Sequence, residues 1–147
     1  MEILIAMWKA FAVLYGLIFI FGLSLAFVTL PPEIAVQLSP ADRTLFYAGL
    51  AVEFAAMIGV FAYAFDLRVP PWSFWQPFSW VLACWCLYTS LADAWDLVTL
   101  MTSPQPGDEG LLSASLGLLL LLLLNYFGWL GVWRYGRRIA QQPAAMA

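Results

Sequence analysis

Four apolar runs, at residues 3–30, 44–67, 74–101 and 111–133, each reach the roughly 20 residues a helix needs to cross the hydrocarbon core of a bilayer. Inside lipid a segment has no water to satisfy its backbone, so each run must form its own hydrogen bonds as a helix. Short breaks make consecutive helices antiparallel neighbours. The expected fold is all-α: an integral membrane four-helix antiparallel bundle with short loops. It forms a single domain over 1–147, with helices near 3–30, 40–67, 74–101 and 110–137.

Composition supports the same reading. Apolar residues make up 64% of the 147, and charged residues 10%, against about 25% in a soluble domain. A chain this short cannot bury so much apolar surface in its own core, so the lipid bilayer is its expected solvent. The breaks carry turn chemistry. Ser39 can cap a helix, Pro40 suits its first position, and Asp42 completes a box-like start. Ser73 and Gln76 stand at capping-box spacing, with Pro77 as an alternative start, and Asp108 can cap the last helix. Pro31-Pro32, Pro70-Pro71 and the polar stretch 103–110 form the turns, and the tail after Arg138 is expected to fray.

The first run invites comparison with a signal peptide, because Ser24-Leu25-Ala26 resembles a small-residue cleavage site. Its apolar stretch exceeds the usual h-region of about 7–15 residues, and Glu2 precedes Lys9 where a basic start is expected. The expectation is an uncleaved span. With four spans both ends share a side. That side receives Lys9, Arg68, Arg134, Arg137 and Arg138, and the other receives Arg43 with Glu33, Asp42, Asp108 and Glu109. The asymmetry predicts a multi-pass protein with both termini cytoplasmic, of the kind found in a bacterial inner membrane. Trp8, Trp72, Trp75, Trp129 and Trp133 fall near the cytoplasmic helix ends, as an interfacial belt would.

Several chemistries are excluded. The chain has no histidine, the commonest ligand and general base. Cys84 and Cys86 stand two apart, on nearly opposite sides of a helix, and do not form a Cys-x-x-Cys motif. There is no Gly-rich phosphate loop, and no basic run suited to a nucleic acid. No metal centre or cofactor is expected.

Ionisable residues inside a membrane are costly and point to function by default. At about 100° per residue, Ser79, Cys86, Thr89, Ser90, Asp93 and Asp96 share one face of the third helix. Trp80, Cys84, Leu87, Tyr88, Leu91, Trp95 and Val98 share the other. The polar stripe should face the bundle interior or a wet cavity, and the aromatic face lipid or a partner. Alternatively, the hydroxyls bond back to their own helix. Glu53 lies about 13 residues into the second helix, roughly 20 Å, or roughly 13 Å if the hydrocarbon begins nearer Thr44, and Asp93 about eight residues, roughly 12 Å, inside the outer end of the third, so the two carboxyls can sit at similar depth in the outer half. Held close in low dielectric, such a pair would keep a proton between them. It would then serve proton transfer, cation binding or simple helix pairing.

Small residues mark the packing faces. Ala48, Ala51, Ala55, Gly59 and Ala62 form a stripe on the second helix, opposite Glu53 with Gly49, Ala56 and Val60. Two such faces make this helix central, or turn one face toward another protein. Asn125, Gly128 and Gly131 mark the packing side of the fourth helix, with Asn125 as interhelical glue. Two functional classes remain. One is a non-enzymatic accessory or assembly subunit of a membrane complex, with a membrane-protein partner or a homo-oligomer. The other is a small proton- or cation-coupled carrier, or an intramembrane acid/base enzyme on a lipid-like ligand, working through Glu53 and Asp93. The missing catalytic motifs favour the first.

Overall fold

The computed structural model describes residues 2–29, 39–69, 72–102 and 108–141. Residues 1, 30–38, 70–71, 103–107 and 142–147 lie outside the described residues, as do the side chains of residues 26–29, Trp72, Asp108 and Glu109. Among the described residues four α-helices follow one another: α1 Glu2–Thr29, α2 Pro40–Ala64, α3 Trp75–Met101 and α4 Asp108–Ala140. All four are long and apolar enough to cross a membrane.

The helix ends follow local chemistry. Ser39 caps α2: its Oγ accepts from the Asp42 backbone N–H at 3.2 Å and donates to the Asp42 carboxylate at 2.7 Å. Pro40 opens the helix, where its missing N–H costs nothing. α2 stops three residues short of the expected Leu67. Asp66 takes a left-handed φ of 55°, and the Leu67 N–H turns back to the Ala62 carbonyl at 2.9 Å, closing a Schellman-type end. No glycine announces this stop; the short polar side chain of an aspartate tolerates it. Ser73 does not cap α3. It lies in a 3-10 turn, Trp72–Phe74, and the helix start has no side-chain cap. α4 is described from Asp108, whose side chain, and with it the expected cap, lies outside the described residues.

Consecutive helices are antiparallel, and α2 is central, touching α1, α3 and α4. Up-and-down order makes α2 and α4 run in the same direction, so their contact closes a diagonal of the bundle. Gly59 permits that closure. A Cβ there would lie 2.9 Å from both the Val132 side chain and the Trp75 ring. The same ring joins α3 to α2, and a second indole repeats the device ten residues away on both helices: Trp85 lies over Gly49, 2.6 Å from where a Cβ would sit. α3 thus reaches α2 through two indoles seated in glycine gaps.

The small stripe of α2 divides accordingly. Gly59 and Ala62 are buried within the bundle, Ala55 is half-buried, and Ala51 is exposed. Gly128 is buried under the Tyr15 ring. Trp8 and Trp75, expected in an interfacial belt, are core residues at 8% and 3% exposure. Each sits at a helix end that the bundle closes over.

At the basic end the α2–α3 connection is tied down. The buried Tyr135 hydroxyl donates to the Leu67 carbonyl at 3.0 Å and accepts from the Val69 N–H at 2.8 Å. The Trp75 indole donates to the Val69 carbonyl at 2.8 Å, and Arg138 pairs with Asp66 at 2.6 Å. Lys9, Arg134, Arg137 and Arg138 each lie over an aromatic ring, 4.9–5.8 Å from its centre. This placement keeps a cationic head at an apolar surface.

Candidate functional site

Glu53 stands one turn after Gly49 on α2, and that spacing builds the site. Gly49 admits the Trp85 ring, and the indole N–H then reaches Glu53 Oε1 at 3.2 Å. From α1, the buried Tyr15 donates its hydroxyl to Oε2 at 3.0 Å. From α4, Gly128 supports the Tyr15 ring, with room for no more than a tight Cβ at 3.2 Å. Three helices therefore converge on one carboxyl and the fourth supports a donor. Both oxygens accept a hydrogen bond from a neutral group, and among the described residues no salt bridge involves Glu53.

Glu53 lines an open recess of about 440 Å³ between α2 and α3. Phe46 and Tyr88 line it too, and Asp42 lies toward the start of α2.

Thr89, Ser90 and Cys86 belong to a neighbouring α3–α4 cluster. The Asn125 amide donates to the Thr89 hydroxyl at 3.3 Å and to the Ser90 hydroxyl at 3.2 Å. The Cys86 thiol makes a long contact of 3.9 Å with the Asn125 carbonyl. Both expectations for these hydroxyls apply together: Thr89 also donates back to the Cys86 carbonyl at 3.2 Å, and Ser79 donates to that of Gln76 at 2.7 Å.

Asp93 and Asp96 lie elsewhere. Both are exposed, and they line a second recess of about 440 Å³ between α3 and α4, beside Gly117 and Leu121. Glu53 and Asp93 are not brought together. The residue that meets Glu53 is Trp85, about 12 Å of helix rise away from Asp93. The expected match counted Glu53 from Thr44 and took the helix ends as level. Glu53 is 13 residues from the start of α2 at Pro40 and Asp93 only eight from Met101, and the level of Glu53 is met by Trp85, 16 residues from Met101, so α3 also runs further toward the acidic end. The geometry expected for a shared proton is therefore absent.

The opposite face of α3 is open as expected. Trp80, Cys84, Leu87, Tyr88, Leu91, Trp95 and Val98 are all exposed. Sequence reading missed Tyr15 and Trp85, the two donors. A usable signal was present: a glycine one turn before an intramembrane carboxyl leaves space for a ring carrying a donor. Comparison with protein-family models, curated proteins and solved structures finds no match for this chain.

Proposed function

We propose that this is a small multi-pass membrane protein with both ends in the cytoplasm, acting as a non-enzymatic accessory or assembly subunit of a larger membrane complex. The observation that carries this reading is the outer half of α3. Asp93 and Asp96 are exposed there on one face, and on the opposite face Trp95, at 71% exposure, stands with an open row of Leu87, Leu91 and Val98. Asp93 lies about 12 Å of helix rise inside Met101. A carboxyl at that depth is costly against lipid, and a partner helix carrying donors removes the cost. Glu53 and Asn125, by contrast, each have hydrogen-bond partners within the chain. That pattern suits helix association more than turnover. The Lys/Arg asymmetry supports the orientation.

Purification of the full chain from its native membrane in mild detergent tests this reading. A second polypeptide should accompany the wild type and be lost from Trp95→Ala, whose monomer still folds. A lone monodisperse monomer would reject it. In the same membranes, a single cysteine at position 108 should react only from the non-cytoplasmic side.

A further inference from the structure

The recess between α2 and α3 has a chemistry that helix association does not use. Its polar lining residues are the acidic Glu53 and Asp42, Thr89, and the neutral Trp85 and Tyr88, and none of its lining residues is Lys or Arg. Its walls carry three aromatic rings, Phe46, Trp85 and Tyr88. Phe46 and Tyr88 are exposed, and Glu53 and Trp85 half-buried. The two donors on Glu53 fix the direction of its carboxyl, but neither carries a charge to offset it. An ionised carboxylate has about four acceptor positions, so two remain for a ligand.

An aromatic wall beside a carboxylate attracts a cation twice, through the ring faces and through the charge. The volume falls within the roughly 300–1,000 Å³ of ordinary ligand pockets. A bare divalent ion would need several oxygen ligands. The described residues contain no group of three His, Cys, Asp or Glu side chains able to hold a metal ion. An organic cation needs no such cage, because rings satisfy its apolar parts. Trp85 lies ten residues from the start of α3, about 15 Å of rise, so a cation here must also be lipophilic.

We propose that the α2–α3 recess is a binding site for a lipophilic organic cation, with Glu53 as the counter-charge and Phe46, Trp85 and Tyr88 as its walls. The site goes beyond the accessory-subunit reading and does not depend on it, because Asp93 and the α3–α4 recess take no part.

The test is equilibrium dialysis of radiolabelled tetraphenylphosphonium against the full chain in mild detergent. Saturable binding, one per chain, is expected. Glu53→Gln should weaken it by at least about tenfold, and Tyr88→Ala by several-fold. Asp93→Asn should leave it unchanged, and the neutral triphenylphosphine oxide should not compete. If Glu53→Gln does not fold, Tyr88→Ala and the neutral competitor decide the matter, since Tyr88 is an exposed ring. Non-saturable uptake by the folded wild type would overturn the proposal. So would equal affinity in the folded Glu53→Gln or Tyr88→Ala protein, effective competition by the neutral compound, or a loss in Asp93→Asn as large as in Glu53→Gln.

Discussion

The half of the bundle at the basic end and the half at the acidic end are built from the same apolar stock and packed differently. Every buried aromatic, aliphatic or alanine side chain among the described residues lies toward the basic end: Trp8 to Tyr15 on α1, Ala56 to Ala64 on α2, Trp75 to Leu82 on α3, and Val132 and Tyr135 on α4. There, glycines let rings and backbones close up, and a tyrosine and an indole tie the α2–α3 connection to the helices. Toward the acidic end Leu112, Leu116, Leu119, Leu120, Leu122 and Leu123 of α4 are exposed, a Cβ at Gly117 would meet nothing within 4 Å, and two recesses of about 440 Å³ open, against one of about 330 Å³ between α1 and α4 in the basic half. Glu53 sits where closed packing gives way to open. The contrast teaches that hydrophobicity sets which segments enter the membrane, while small residues and ring shape decide where they close.

The sharpest way to break this comparison is to overfill the closed half. Gly59→Leu forces a branched side chain against Trp75 and Val132. It should cost about 3 kcal/mol, the upper part of the usual overpacking range, in reversible unfolding in mixed micelles. A smaller effect is expected from Tyr135→Phe. It leaves the Val69 N–H and the Leu67 carbonyl without their shared partner and should cost about 1–2 kcal/mol by the same measurement. The smallest comes from the open half. Gly117→Leu should change stability by no more than about 0.5 kcal/mol, as exposed substitutions do. Equal losses at positions 59 and 117 would erase the distinction between the two halves.

Much of the architecture was legible in the sequence because it follows from local rules. Run length and turn residues predict four helices, and Ser39, Pro40 and Asp42 mark the start of α2 by capping chemistry. The 3.6-residue period separates the exposed aromatic face of α3 from its polar stripe. What was not legible depends on tertiary offset. Glu53 and Asp93 look level when Glu53 is counted from Thr44 and Asp93 from Met101, but α2 begins at Pro40, and the seating of Trp75 and Trp85 over Gly59 and Gly49 fixes how far α3 slides along α2. That slide gives Glu53 an indole partner instead of a carboxyl. Trp8 and Trp75 read as interfacial by position, yet the bundle closes over them. Asp66 ends α2 by a left-handed turn that an aspartate does not advertise. Tyr15 is one aromatic among many on α1, and only packing against Gly128 and Glu53 singles it out.

The central claim, that the chain is closed on itself in one half and completed by a partner in the other, is tested most directly by photocross-linking in native membranes. A benzophenone amino acid would replace Trp95 on the open face of α3 and, separately, the buried Phe78 near its closed end. The account predicts a discrete adduct with another polypeptide from position 95 and only intrachain products from position 78. Lipid adducts alone from position 95, or the same intermolecular adduct from both positions, would contradict it.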